Sequence, residues 1–305
     1  MNLIIKYGEN MQKQKVVVGI DMGATHIRIC VINPQKEILL TQKNKTSEII
    51  GKDFLSGIRE FIFHYCSNFD ISKIVIGMPA AISKDRQQIL SVPNLPIKLE
   101  QLNNAITYLQ ETFHCSVRLE RDVNLQLLYD VHHFNLQEFA VLGVYLGTGL
   151  GFAIYQQGNI FVGQNGVAGE LGHIPYGNAN KKCQCGNYGC LETVCSGRVL
   201  QEWYNSEQPT YPFNELFIYA LDTKFVQDYL QNLAKSIAMV INLFDPDCIV
   251  LGGGVMDMEN FPYHQLKQHC LTMIRKPLPY NRIEFYQAQS SDFNGAIGAA
   301  LRAIL

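Results

Sequence analysis

The stretch Val16-Val17-Val18-Gly19-Ile20-Asp21-Met22-Gly23-Ala24-Thr25 decides how the rest of the chain is read. Val16–Ile20 is an unbroken apolar run, the pattern of a strand buried on both faces. It stops at a glycine turn that also carries an aspartate and a threonine. The pattern returns once. Val141–Gly151 is again a buried strand, running into Gly147-Thr148-Gly149-Leu150-Gly151. Glycine lets a backbone approach a ligand closely and turn its N–H groups toward phosphate oxygens. Threonine adds a hydroxyl, and Asp21 offers a hard oxygen for Mg²⁺. Either turn alone reads better as an ordinary hairpin. Two of them, each closing a buried strand, point to two related units facing one cleft.

Strands are expected at Ile27–Ile32, Ile38–Thr41, Lys73–Gly77, Val117–Glu120, Cys248–Leu251 and Ile283–Tyr286. Helical spacing of Phe54, Leu55, Ile58, Phe61, Ile62 and Tyr65 predicts a helix over Lys52–Ser67. Further helices are expected at Leu99–Phe113, from Asp122, at Leu191–Tyr204, at Lys224–Phe244 and at Phe293–Ile304. Met78–Val92 reads as a loop, and Gly163–Gly189 as an irregular glycine-rich stretch. Mixed strands and helices make an α/β protein.

The chain has 305 residues, 17% of them charged and 47% hydrophobic. Average usage is about 25% charged, so disorder is excluded. At roughly 100–200 residues per domain, two domains or one large one are expected. Lys plus Arg is 25 and Asp plus Glu is 27, a net charge of −2. That leaves no basic excess for a nucleic-acid backbone, and no nucleic-acid partner is expected. The N-terminus shows no signal-peptide core, and either Met1 or Met11 can be the start. Phe139–Tyr155 is uncharged, but its glycines break a helix. It reads as two strands around a tight turn, and no membrane partner is expected. The expected location is the cytoplasm.

Two other phosphate motifs are missing. The chain has no G-x-x-x-x-G-K-[ST] loop. Gly147–Gly151 is followed by strand-like residues where a dinucleotide fingerprint needs a helix. Gly252-Gly253-Gly254 forms a third turn after a buried strand, placed to abut a nucleotide base or ribose.

Most of the nine cysteines are scattered among apolar residues, but Cys183, Cys185 and Cys190 cluster. With His173 they read H-x9-C-x-C-x4-C, a Cys₃His set of the kind that holds structural zinc. The alternative is three free thiols on a surface loop. Glu170 and Glu192 flank this set, so a metal staple would gather carboxylates able to accept hydrogen bonds from a polyol. Asp122, in Glu120-Arg121-Asp122-Val123-Asn124, reads either as a helix N-cap or as a base pointing into the cleft.

These motifs, in this order, resemble those of the ROK (repressor, open reading frame, kinase) family. The resemblance runs from about Val16 to the C-terminus. The stretch Cys183-Gln184-Cys185-Gly186-Asn187-Tyr188-Gly189-Cys190-Leu191-Glu192 carries most of its specificity. Within the family, Asp21–His26, Arg121–Asn124 and Ser291–Gly295 look most like kinases of D-allose. The resemblance implies an actin-like (ribonuclease H-like) ATPase fold with two domains around a central cleft. One comprises residues 12–126 plus 293–305, and the other 127–292 with the zinc loop. It implies Asp122 as general base and Asn94, Arg121, Asp122, Glu170, His173 and Glu192 as sugar contacts. His173, Cys183, Cys185 and Cys190 become zinc ligands. Asp21, Gly23, Thr25, Gly147, Thr148, Gly149, Gly252, Gly253 and Gly254 become nucleotide contacts. ATP, Mg²⁺ and structural Zn²⁺ are the implied cofactors, an aldohexose the substrate, and a homodimer the assembly.

Two positions depart from the family pattern. Arg121 stands where many members have asparagine, and Ala80 where many have glycine. Both bear on the sugar pocket and favour a substrate other than glucose. The remaining readings are a kinase for glucose, fructose or N-acetylmannosamine, and a sugar-responsive regulator. About fifteen residues before the first strand are too few for a helix-turn-helix.

Overall fold

The computed structural model describes residues 13–51, 53–92, 97, 102, 104–177 and 180–305. In chain order the elements are β1 Gln14–Met22, β2 His26–Ile32, β3 Ile38–Lys45, α1 Thr46–Ile50, α2 Phe54–Cys66 and β4 Phe69–Met78. Then come β5 Ala81–Ile82, β6 Ile89–Ser91, α3 Ala105–Phe113, β7 Ser116–Arg121, α4 Asp122–His133, β8 Val141–Leu146, β9 Leu150–Gln156 and β10 Asn159–Ile160. The chain closes with α5 Gly197–Glu207, α6 Leu216–Tyr219, α7 Lys224–Phe244, β11 Cys248–Gly252, α8 Tyr263–Met273, β12 Glu284–Gln287 and α9 Asn294–Ile304.

Two five-stranded sheets repeat one design. The first runs β3-β2-β1-β4-β7 and the second β10-β9-β8-β11-β12. In each, the first three strands pair antiparallel and the last three parallel. The echo between Val16–Thr25 and Val141–Gly151 is therefore the same hairpin, β1–β2 and β8–β9, used twice. The uncharged stretch at 139–155 is that second hairpin. Among the described residues no helix is long and apolar enough to cross a membrane.

Strand parity sets what each face does. Val16, Val18, Ile20 and Met22 of β1 pack with α2 and α3. Val17 joins a separate core with residues of α4, α9, β8 and β11, and Gly19 meets α9. Asp21 shares that odd face, so period 2 alone turns its carboxylate toward the centre. A third core packs α5, α7 and α8 against the second sheet. The helix that follows each sheet crosses over: α4 lies against β9, and α9 against β1, β4 and β2. The two helices also pack against each other between the sheets. A division after residue 126 would fall within α4.

Several expectations shift at their edges. The Lys52–Ser67 helix begins at Phe54, because Asp53 caps it by accepting from the Ser56 N–H at 3.1 Å. The Met78–Val92 loop contains a small β5–β6 hairpin. The Leu191–Tyr204 helix is broken: one 3₁₀ turn over Leu191–Thr193 precedes α5, which Ser196 caps. The Leu99–Phe113 helix is described only from Ala105.

The helix crossing needs glycine. A β-carbon on Gly19 would collide with the α9 backbone at Ala296 and Ala300, and one on Gly298 with Leu125 O. Backbone cannot move aside as a side-chain tip can. We expect Gly19→Ala to cost at least about 2 kcal/mol, within the range of core overpacking, measured by denaturant unfolding.

Candidate active site

The first turn hangs from the end of β1. Gly23 N–H donates to His26 O at 2.9 Å. Thr46, fully buried at the start of α1, holds the turn from behind. Its hydroxyl donates to Gly23 O at 2.7 Å and its N–H to Thr25 O at 2.9 Å. Sequence reading missed Thr46, because a threonine after a basic strand looks like any edge residue. Asp21 sits against α9, where a β-carbon on Gly295 would come within 2.8 Å of its carboxyl carbon. Burial pushes its pKa up to about 6, helped by the nearby Asp122 and opposed by Arg28. The Arg28 guanidinium lies 3.7 Å from Asp21. A mostly buried carboxylate within electrostatic reach of a second one is a fit setting for a divalent cation, which relieves both.

The second and third turns lock together. Gly147 O and Thr148 O accept from Gly197 N–H and Arg198 N–H, the first amides of α5, at 2.8 and 3.0 Å. Val255 N–H, just past Gly254, donates to Leu146 O at 2.9 Å. Gly253 has φ +97° and lies so close to Leu146 that a β-carbon would sit 2.6 Å from its nitrogen. Beside this junction is a cleft of about 600 Å³, lined by Met256, Asp257, Phe261, Gln287, Gln289 and Ser290 among others. That volume is ample for a nucleoside.

Between the turns lies the β7–α4 corner. Asp122 is the first residue of α4 rather than its cap; Arg121 occupies the cap position without a capping side chain. The Asp122 carboxylate accepts from Val123 N–H at 2.8 Å. Its pKa is raised chiefly by burial, with Val123 N–H and Arg121 pulling the other way. Val123 packs on Gly151, where a β-carbon would lie 3.0 Å from its methyl group. The β7–α4 corner thus abuts the second turn.

The buried Arg121 is a fork. One nitrogen donates to Ala168 O at 2.7 Å, and the other pairs with Glu170 at 2.8 Å. The second Glu170 oxygen lies 3.7 Å from His173 Nε2. Glu192 accepts from Leu150 N–H at 3.1 Å, and its carboxylate fills the space a Gly149 side chain would need. Arg121, Asp122, Glu170, His173 and Glu192 are thereby gathered beside the second turn. Asn94 lies outside the described residues.

His173, Cys183, Cys185 and Cys190 also converge, with all four ligand atoms within 4.8 Å of one another. Backbone bonds Cys183 N–H to Asn187 O (2.8 Å), Gly186 N–H to Cys183 O (3.1 Å) and Leu191 N–H to Ile174 O (2.9 Å) shape the loop. Cys185 and Cys190 sulfurs are 3.7 Å apart, and Cys183 Sγ is 3.6 Å from His173 Nδ1. Tetrahedral zinc, with bonds of about 2.3 Å to sulfur and 2.0 Å to nitrogen, calls for separations of about 3.8 and 3.5 Å. The donor set fits that ion. Giving Nδ1 to a metal leaves the proton on Nε2, facing Glu170 as a fixed donor.

A family model described as "ROK family" matches residues 17–304. The chain belongs to the ROK family. The N-acetyl-D-glucosamine kinase of Histophilus somni is 29% identical, over 92% of this chain and 97% of that protein. The DNA-binding transcriptional dual regulator NagC of Escherichia coli is 26% identical, over 92% of this chain and 73% of that one. Among solved structures, a ROK hexokinase from Thermus thermophilus aligns with TM-score 0.77 and 26% identity over 94% of this chain and 97% of that chain. The fold is the actin-like ATPase fold of ROK sugar kinases. ROK membership thus comes with both kinases and regulators as relatives, and the site must decide between them.

The metal cluster supplies a direct check. Elemental analysis of purified protein is expected to find about one zinc per chain, with Cys183→Ser reducing it severalfold. Three freely titratable thiols in place of bound metal would remove the site.

Proposed function

We propose that this ROK protein transfers the γ-phosphoryl group of MgATP to the 6-hydroxyl of an aldohexose, and that the aldohexose is D-allose. The observation that carries kinase chemistry is Asp122. It is a carboxylate at a strand–helix corner, beside the second turn and within electrostatic reach of Asp21. In the proposed reaction Asp122 accepts the hydroxyl proton as that oxygen attacks the γ-phosphorus in line. Proton loss can come late, so modest basicity suffices. The turns at 23–25 and 147–149 carry the phosphate chain, with the Gly23 and Gly147 N–H groups already donated to His26 O and Gly149 O, and the cleft past Gly254 takes the base. Magnesium, held at Asp21, would offset charge on the phosphoryl oxygens. Glu170, Glu192 and the Nε2 proton of His173 accept and donate to ring hydroxyls, and Asn94 is a further sugar contact by resemblance. The halves carrying the two sheets are proposed as two domains, 12–126 with 293–305 and 127–292, closing over the sugar to exclude water. A homodimer is the proposed assembly.

The allose reading rests on Arg121. Its fork occupies one oxygen of Glu170 before any sugar arrives. A ring hydroxyl meeting that carboxylate therefore has fewer directions of approach, which fits a hexose with one hydroxyl inverted relative to glucose. The Histophilus somni relative favours a second substrate, N-acetyl-D-glucosamine. The NagC likeness favours a regulator, a role that needs no general base.

A coupled ATP-consumption assay across hexoses separates these readings, with allose expected to give the highest kcat/KM. Asp122→Asn is expected to lower kcat by roughly three orders of magnitude while sugar binding persists. No turnover with any hexose would sink the kinase reading. Because Asp122 must be ionised to act and burial raises its pKa, activity should fall as pH drops through a value above the ordinary carboxylate range. Its acid limb in kcat/KM reports this.

A further inference from the structure

Behind the Asp122 corner lies a buried ion pair with no place in the chemistry above. Arg86 and Glu120 are 6% and 1% exposed. Their side chains meet at 3.2 Å. The same Glu120 oxygen accepts from Arg121 N–H at 2.9 Å and from Asn124 Nδ2 at 2.8 Å. One carboxylate therefore grips the peptide just before Asp122 and the helix turn just after it.

Arg86 also reaches the other way. Its second nitrogen donates to Gly166 O at 3.0 Å. Gly166 belongs to the segment that leads into Glu170. This segment is held at alternate positions by basic groups from the first half of the chain. Lys84 donates to Gln164 (2.9 Å), Arg86 to Gly166 O, and Arg121 to Ala168 O and Glu170. The backbones also meet, since a β-carbon on Gly166 would come within 2.9 Å of Ile82 O.

Arg86 itself sits at φ +61°, a conformation that costs a non-glycine residue energy. It is held there by two bonds: its N–H donates to Ser83 O and its own carbonyl accepts from Leu119 N–H, both at 3.0 Å. Backbone strain kept by the surrounding structure is a mark of a residue whose placement matters.

We propose that Arg86 is a positioning residue for phosphoryl transfer, aiming the Asp122 corner through Glu120 and the Glu170 segment through Gly166. It touches neither substrate. It ties the base and the sugar carboxylate to one rigid point, so a loss at Arg86 displaces both. This inference rests on the kinase reading.

Two variants separate its two arms. Arg86→Lys keeps a cation on Glu120 but has no fork to reach Gly166. It should raise KM for the sugar at least about threefold, with a smaller effect on kcat. Arg86→Met combined with Glu120→Gln removes the pair and leaves only the part-exposed Arg302, 3.9 Å from the other Glu120 oxygen, without that partner. It should raise sugar KM and also lower kcat by about tenfold or more, since small misplacements of reacting groups are costly. KM for ATP should stay within about twofold in both. Melting curves accompany the kinetics. Unchanged sugar KM in Arg86→Lys overturns the proposal, whether or not the double variant folds. So does a lowered melting temperature with wild-type kinetic constants. Wild-type protein inactive on every hexose would fail the kinase reading instead, before either variant is compared.

Discussion

The site exists because two helices exchange sheets. α4 follows the first sheet yet packs on the second, and α9 follows the second yet packs on the first. Each is squeezed close enough that glycine is needed at the contacts, Gly19 beneath α9 and Gly298 against α4. This crossing fixes the first sheet relative to the second. It puts the first residue of α4 beside the second turn and the first residues of α9 beside Asp21. A single loose helix would leave two stable sheets and no cleft between them. The constraint is steric, and van der Waals contact at backbone distance tolerates little drift.

Charge is then concentrated where that crossing needs direction. The chain is charge-poor, and burying a charge is costly unless it is paired. Among the described residues the buried charged side chains are Arg86, Glu120, Arg121 and Asp130. All four belong to β7, α4 or the hairpin packed on them. Asp130, one end of α4 from Asp122, receives the Tyr145 hydroxyl at 2.6 Å, and burial pushes its pKa up to about 6. Packing alone would hold α4 in place. Hydrogen bonds to charged groups, each worth about 1.5–3 kcal/mol, hold it in one rotation. For a helix whose first residue is the proposed base, rotation is what counts.

Much of this was legible in the chain. Val16–Ile20 and Val141–Leu146 announced themselves as strands buried on both faces, and the glycine turns after them marked the cleft. The cysteine spacing brought His173 into the metal set, because ligands must converge whatever the path between them. Local signals worked where the physics was local. They failed where partners come from far away. Thr46 supports the first turn, from the far end of the β2–β3 hairpin, and nothing in Lys45-Thr46-Ser47 says so. Arg86 looked like part of a loop, since its partners Glu120 and Gly166 lie 34 and 80 residues away. Asp122 read equally as a cap or a base, and its place as the first residue of α4, after Arg121, sets aside the cap reading.

Under the proposed kinase reading, Arg121 is where this corner would set the substrate without touching the chemistry. An amide at that position could donate and accept toward a sugar hydroxyl. A guanidinium only donates, and here both of its outer nitrogens are already engaged, by Ala168 O and Glu170. The Arg121 side chain is therefore committed to the protein. Glu170 loses freedom, because one oxygen is fixed by Arg121 and the other faces His173 Nε2. A carboxylate with one oxygen already engaged accepts a hydroxyl from fewer directions than a free one. Misdirected hydroxyls then leave polar groups unpaired, the costly outcome in a desolvated pocket. In the proposed reaction, rigidity at Glu170 would discriminate between sugars that differ in one hydroxyl's direction, while Asp122, one residue along, would keep its access to the reacting oxygen.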